Sequence, residues 1–513
     1  MKMQTQIKSP LFNWLLYGLF TLLVGLYIYT AWSSAGYDDE FYNIRVVREY
    51  SLSAMIHLIQ SEDLHPPLSY ILNYLLFHSI GSWQLVRLFS AFLYLGSLWY
   101  LLRSIANPKM KLLALLLLGL NPTILIWVTG LRWYAYLIPV LMVLTVLPDY
   151  TKWYYWPKYF LLMLIACFLG YAGFFLSIPY FLYYWLHDQR GFTQKVKKIS
   201  TWALLFVLAY AYQAYVFITV HSKMDLSKTN NQQVFDLKSN IISFVSSIAS
   251  NQGLFPLSIG GLFAIAGSII IYIAAIFSFK QINQQKHWLV FVLLSVLFFI
   301  TGIAGKVRNL VLLEPSRNNM LLGLLNGRKR IVWLGFLLII MGNIAGTYNA
   351  IAHTKTTKNA WNIPVDQTLR FLNSIEEPGA TEIYFTHHPS FDYHLTTSKK
   401  KVVCFYTSSY FDSSWINTKV VDLQNDHSAL KKNFTFLINY RGRSITIEQY
   451  EKLLLSMNSL KADSVKRFYL DKDPEYSIRK KFFPDYPAYT TVVVKFYGVK
   501  GNIIPLEVWE TNK

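Results

Sequence analysis

The chain has 513 residues, of which 53% are hydrophobic and only 15% charged, and it carries a formal net charge of +20. A soluble chain of this length divides into domains with charged surfaces. That class is excluded, because apolar runs of about 20 residues, the length a hydrocarbon core requires, fill most of the first two thirds of the sequence. Nor does the charge mark a nucleic-acid binder: Arg103, Lys109 and Lys111, then Arg190, Lys195, Lys197 and Lys198, then Arg328, Lys329 and Arg330 lie in short clusters between apolar runs, the positive-inside arrangement that sets orientation.

Lys2 and Lys8 keep the N-terminus cytoplasmic, and residues 11–32 read as an uncleaved first span, longer than a signal-peptide core and followed by further spans. The segment 33–83 then lies outside. Within it, 41–60 mixes Phe, Ile, Val and Leu with Arg45, Arg48 and Glu49, the pattern of an amphipathic interfacial helix. The run 66–80 is short and interrupted by Asn73 and His78. Crossing there would carry the Arg103–Lys111 cluster outside, so a half-inserted helix is expected. Further spans are expected near 84–102, 111–129 and 133–148, as a pair over 158–187 turning at Gly170–Gly173, and near 200–220, 257–279 and 288–304. A short broken passage at 307–326 precedes the last span at 331–350. The expectation is a mainly α-helical polytopic membrane protein of about eleven spans with an outer loop at 221–256. No internal repeat is visible, which weighs against an inverted-repeat transporter.

Residues 1–352 therefore read as a transmembrane domain and 353–513 as an extracytoplasmic soluble α/β domain. In the latter, strand-like runs at 383–386, 401–406, 434–440 and 490–499 alternate with helical patterns at 365–375 and 446–458. Cys167 falls in a span and Cys404 far downstream, so no disulfide framework is implied.

Chemistry concentrates at the outer face. Asp38, Asp39 and Glu40 follow the first span directly. Crowded carboxylates raise one another's pKa, and such a group can act as general base; a solvated acidic loop is the plainer alternative. Pro66 and Pro67 would fix His65 at the mouth of the next apolar run. Arg87 stands near the start of an apolar run, Arg132 between two spans and Arg317 within the short passage, where ionisable groups face cavities or partners and the guanidinium fork matches phosphate; headgroup snorkelling is the alternative. His387, His388, Asp392 and His394 could form a metal cluster, but histidines near one helix start in a soluble domain are more often surface residues, and Asn433-Phe434-Thr435 fits an N-glycosylation pattern of low specificity.

Four short motifs stand in order: Asp39-Glu40-Phe41-Tyr42, His65-Pro66-Pro67-Leu68-Ser69-Tyr70, Arg87-Leu88-Phe89-Ser90-Ala91 and Arg132-Trp133-Tyr134. Together they make the chain resemble the dolichyl-phosphate-mannose-protein mannosyltransferase-like family of the C-type glycosyltransferase (GT-C) superfamily. The resemblance covers roughly residues 12–350 and is strongest from 37 to 136. Many relatives carry a histidine after the position of Tyr171, where this chain has Ala172 and Gly173.

The resemblance implies an inverting transfer from a polyprenyl-phosphate sugar to a hydroxyl of a protein, lipid or glycan acceptor. Asp39 would be the general base and Glu40 would orient it or bind acceptor, with Asp38 the alternative base because the doubled aspartate leaves the register open. Arg132 and Arg317 would stabilise charge on the leaving phosphate, Arg87 and His65 would shape the donor cavity, and Tyr42 and Tyr134 would line the substrate site. No cofactor and no obligatory metal are implied, since the donor has a single phosphate. The setting implied is a bacterial inner membrane. An O-antigen ligase or polymerase type of enzyme, which would keep arginines in a large later outer loop, and a lipid-linked glycan transporter or flippase are the competing readings.

Overall fold

The structure, a computed structural model, describes residues 10–33, 38–62, 65–146, 155–187, 191–216, 218–219, 259–277, 286–300, 311–325, 330–352, 365–386, 389–404, 432–440, 463–470 and 490–499. The expected outer loop 221–256 and the helical pattern 446–458 lie outside them. The chain forms two compact units, a helical one and one built on a sheet, dividing after residue 354; the start of α2 (Asp38–Glu49), through Arg45, groups with the second.

The helical unit begins with α1 (Pro10–Ser33), followed by α3 (Leu52–Glu62), α4 (Leu68–Ile80) and α5 (Trp83–Ser104). The single interfacial helix expected over 41–60 is thus two helices. They part at Ser51, whose hydroxyl accepts from the Ala54 amide and starts the second. The expected short helix at 66–80 is α4, closed by Gly81 in the left-handed conformation (φ 74°). Ser82 accepts from the Leu85 amide and caps α5.

The span expected at 111–129 is broken. α6 (Pro108–Ala114) runs into a π-helical turn at Leu115–Gly119, and α7 (Pro122–Val128) leaves it at 63°. Pro122 supplies no amide, and Asn121 caps the new helix by accepting from the Ile124 amide at 3.0 Å. A break inside hydrocarbon strands backbone carbonyls, each worth several kcal/mol if left unmet. Here neighbouring helices meet them. Tyr94 donates to Leu118 O at 2.9 Å, Tyr27 to Gly119 O at 3.3 Å, and Asn343 and Thr347 to Leu117 O and Leu120 O at 3.3 and 2.8 Å.

α8 (Trp133–Val146), α9 (Tyr155–Leu169), α10 (Tyr171–His187) and α11 (Phe192–Val216) follow. The turn at Gly170 is as expected, and Gly173 lies so close to α9 that a Cβ would sit 2.0 Å from Ala166 O. α12 (Ile259–Phe277), α13 (Lys286–Ile300), α14 (Glu314–Leu325) and α15 (Arg330–Ala352) complete the unit. α12 and α15 touch through glycines: a Cβ on Gly267 would meet Gly335 O at 2.4 Å, the small-residue packing typical of helices in lipid. Gly267→Leu is expected to destabilise the bundle by at least about 1–3 kcal/mol through overpacking. Gly18→Leu, where nothing lies within 4 Å, should be neutral; thermal unfolding in detergent compares them.

Among the described residues, three helices are long and apolar enough to cross a membrane (Leu11–Ser33, Trp83–Ser104 and Arg330–Tyr348), or up to five if each bent pair is one span. The protein is an integral membrane protein on these helices. Among the described residues the helices do not reach the count of about eleven expected from the sequence: α8 and α9, two of the expected spans, have 14 and 15 residues, about 21–23 Å at 1.5 Å per residue against a core of about 30 Å.

The second unit holds α16 (Val365–Ser374), β1 (Thr381–Thr386), α17 (Pro389–Thr397), β2 (Lys401–Cys404), β3 (Lys432–Tyr440), β4 (Ser464–Leu470) and β5 (Thr490–Val499). Its sheet order is β2-β1-β3-β5-β4, parallel through β3 and antiparallel beyond. Leu372 of α16 and Phe391 and Leu395 of α17 pack with Tyr384, Leu437 and Val493 of the sheet. Lys495 is fully buried in β5, yet it pairs with Glu382 at 2.6 Å and donates to Ile375 O. Asn433 is 1% exposed and donates to Glu377 and Glu382, so the glycosylation pattern it belongs to is sealed inside the sheet.

Candidate functional site

Three of the four motifs meet inside the helical unit. The segment between α7 and α8 carries Arg132, and the N-terminal turn of α4 carries Ser69 and Tyr70. Arg132, 7% exposed, donates to Tyr70 Oη at 3.1 Å. One turn further along α4, Asn73 donates to Leu131 O at 2.7 Å and accepts from Tyr136 Oη at 2.5 Å. The asparagine that interrupts the apolar run therefore clamps the backbone beside Arg132 from one side and the first turn of α8 from the other.

The Arg87-Leu88-Phe89-Ser90-Ala91 motif enters from α5. Arg87 is 5% exposed. Ser90 donates to Arg87 O in its own helix at 2.8 Å, and its hydroxyl lies 2.9 and 3.3 Å from Val128 O and Gly130 O at the end of α7. The end of α7 is thus pinned by α5 just before the chain delivers Arg132. His65, half-buried, holds its ring 5.8 Å from Trp133, and Trp133 stacks on Tyr134 at 3.8 Å. Tyr134 in turn lies 5.0 Å from Trp127.

This neighbourhood is polar beyond its own hydrogen bonds. Ser69 Oγ and Trp133 Nε1 are buried with no hydrogen-bond partner among the described residues. Leaving a buried donor unmet costs about 1–3 kcal/mol, so both are positioned to receive a polar group. Arg132 precedes Trp133 in the chain and donates to Tyr70, the residue after Ser69, so an anion with several acceptor oxygens suits this neighbourhood best.

Arg317 lies in a second buried network. It pairs with Glu314 at 3.0 Å, one turn earlier on α14, and the two side chains are 2% and 6% exposed. Glu314 also accepts from Asn318 at 3.0 Å and from Asn121 at 2.7 Å, which ties α14 to the break between the π-helical turn and α7. α14 also packs against α8, the helix that Arg132 immediately precedes. The sequence reading missed Glu314. Its signal was an acid three residues before an arginine within an apolar stretch, the spacing of a helical ion pair. Asn73, Asn121 and Tyr136 were missed as well, because an amide or a phenol among apolar residues carries no spacing rule.

The acidic motif belongs to the second unit. Asp38 and Asp39 open α2, Glu40 is fully buried and Tyr42 half-buried. Asp392 is 8% exposed, and the His394 ring packs against Phe41; His387 and His388 lie outside the described residues. Among the described residues no group of three or more His, Cys, Asp or Glu side chains could hold a metal ion.

No family model and no curated protein matches the chain. Among solved structures, it is similar to the crystal structure of ArnT from Cupriavidus metallidurans bound to undecaprenyl phosphate. The sequence identity is 10%, over 94% of this chain and 98% of that chain, with a TM-score of 0.47.

Proposed function

We propose that the chain is a glycosyltransferase that moves a sugar from a polyprenyl-phosphate carrier to an acceptor hydroxyl outside the cytoplasm, with inversion at the anomeric carbon. The observation that carries this reading is that buried Arg132 donates to Tyr70 of α4, while Ser90 of α5 pins the Val128 and Gly130 carbonyls just before it and His65 packs by Trp133 just after it. Three sequence motifs meet at the segment that carries this cation inside an apolar bundle. Such a cation suits a phosphate whose lipid tail lies in the surrounding membrane.

In this reading Asp39 takes the proton of the acceptor hydroxyl, with Asp38 the alternative and Glu40 orienting the base or the acceptor. The hydroxyl oxygen bonds to the anomeric carbon as the bond to the phosphate oxygen breaks. The departing lipid phosphate keeps the electron pair, and Arg132 stabilises its growing charge. Arg317 is placed on the same leaving group, held in orientation by Glu314. Tyr134 and Tyr42 line the substrate path, and Arg87 and His65 shape the donor side. The leaving group is a phosphate with no need of protonation, so neither a separate acid nor a metal enters the scheme. The sheet-bearing unit lies outside the cytoplasm and the N-terminus inside it.

Arg132→Ala is expected to lower kcat/KM for a polyprenyl-phosphate sugar by about 10²–10³, the usual effect of removing one charge-stabilising donor. Arg132→Lys, which keeps the charge but not the fork, should fall between. Transfer of labelled sugar in membranes, across a panel of lipid-linked donors, measures this and names the sugar. Near-normal transfer by Arg132→Ala would remove the basis of the proposal.

A further inference from the structure

The acidic turn is followed at once by Phe41, a residue only 2% exposed. The start of α2 through Arg45 belongs to the compact unit built on the sheet, and an aromatic contact within that unit joins it to α17. The Phe41 ring lies 5.0 Å from Tyr393 and meets His394 edge-on at 5.4 Å; those two rings are 5.3 Å apart at 79°.

The sequence of α17 explains why these two residues are available. Phe391 and Leu395, one turn apart, face the sheet and are fixed by its apolar core. At about 100° per residue, Tyr393 lies roughly 200° round the helix from Phe391, on the side away from the sheet. His394 lies on the flank between, about 60° from Phe391, so the core holds α17 in place while its far side and flank hold Phe41.

A general base must be held to within a fraction of an ångström, since a displacement of about 1 Å can lower a rate roughly 10²-fold. The acids stand at the very start of α2, where a helix has the fewest backbone bonds of its own and frays most readily. A side-chain anchor immediately after them does what the helix end alone does poorly.

We propose that the α/β unit positions the acidic turn, with Tyr393 and His394 of α17 holding Phe41 and, through it, the helix start that carries Asp38, Asp39 and Glu40. The catalytic consequence rests on the glycosyl-transfer reading; the contact itself does not. Tyr393 and His394 are positioning residues that touch no reacting atom.

The test compares the full-length protein with Tyr393→Ala, His394→Ala and the double variant in lipid nanodiscs, by hydrogen exchange and by transfer kinetics. In the double variant, amide exchange over 38–45 should rise about tenfold, the worth of two aromatic contacts of ordinary strength, while exchange in β1, β3 and β5 stays as in wild type. The kcat should fall roughly 10–100-fold with the donor KM little changed, and Tyr393→Phe should behave as wild type in both measurements.

Unchanged exchange over 38–45 overturns the proposal, and so does an equal rise throughout the sheet, which would mean general loosening. A KM effect without a kcat effect also counts against it. If exchange over 38–45 rises but wild type transfers no sugar from any lipid-linked donor, the positional contact stands and the proposed function falls.

Discussion

Asp39→Asn is expected to reduce sugar transfer by about 10²–10⁴, the range for loss of a general base, with the protein folded and inserted as before. The amide is close in size to the carboxylate, so the change removes proton affinity and little else. The pair Asp38-Asp39 demands a control, because the acids are adjacent and about 100° apart on the helix. Asp38→Asn should leave most of the activity. The reverse result would move the base by one residue without altering the mechanism. Normal rates from both variants, at matched expression and with lipid phosphate still bound, would remove the acids from the chemistry altogether.

The second large effect concerns stability. Glu314→Leu should destabilise the helical unit by about 3–5 kcal/mol, because it strands a buried charge on Arg317. It also removes the acceptor of Asn121 and Asn318. Glu314→Gln keeps an acceptor and loses only the charge, so its loss should be smaller. The double variant Glu314→Leu with Arg317→Leu should regain much of the stability, since replacing both members of a buried pair by apolar groups is often neutral. Unfolding in detergent followed by intrinsic fluorescence measures all three. The double variant has a further use: folded yet unable to transfer sugar, it would assign Arg317 to the leaving phosphate; folded and active, it would confine Arg317 to holding the bundle together.

What was legible in the sequence follows from which physical signals are local. Uninterrupted apolar length gave α1, α5 and α15, and alternation gave β1, β2, β3 and β5. β4 escaped because it is an edge strand whose Ser464, Val465 and Lys466 are exposed, so no buried alternation marks it. The break between α6 and α7 was hidden because hydropathy continues through it and only Asn121-Pro122 breaks the run. At the candidate site the motif order was readable, but the pairing of Tyr70 with Arg132, 62 positions apart, was not. Nor was the role of Asn73, whose position in α4 read as a defect in a span and proves to be a hydrogen-bonding post. Local patterns name the residues; only the packing of α4, α5 and α8 decides which of them touch.

The broken helix has a consequence for how the protein is made. The carbonyls freed at the π-helical turn are met from α1, from α5 and, for two of them, from Asn343 and Thr347 of α15. The segment between Pro108 and Val128 therefore enters the bilayer early in synthesis, but its backbone is not satisfied until more than two hundred further residues have been inserted. A nascent chain arrested before α15 would hold two bare carbonyls in lipid and should be a preferred substrate for membrane quality control. Arrival of the last helix of the bundle would then be the event that turns the inserted chain into a stable protein.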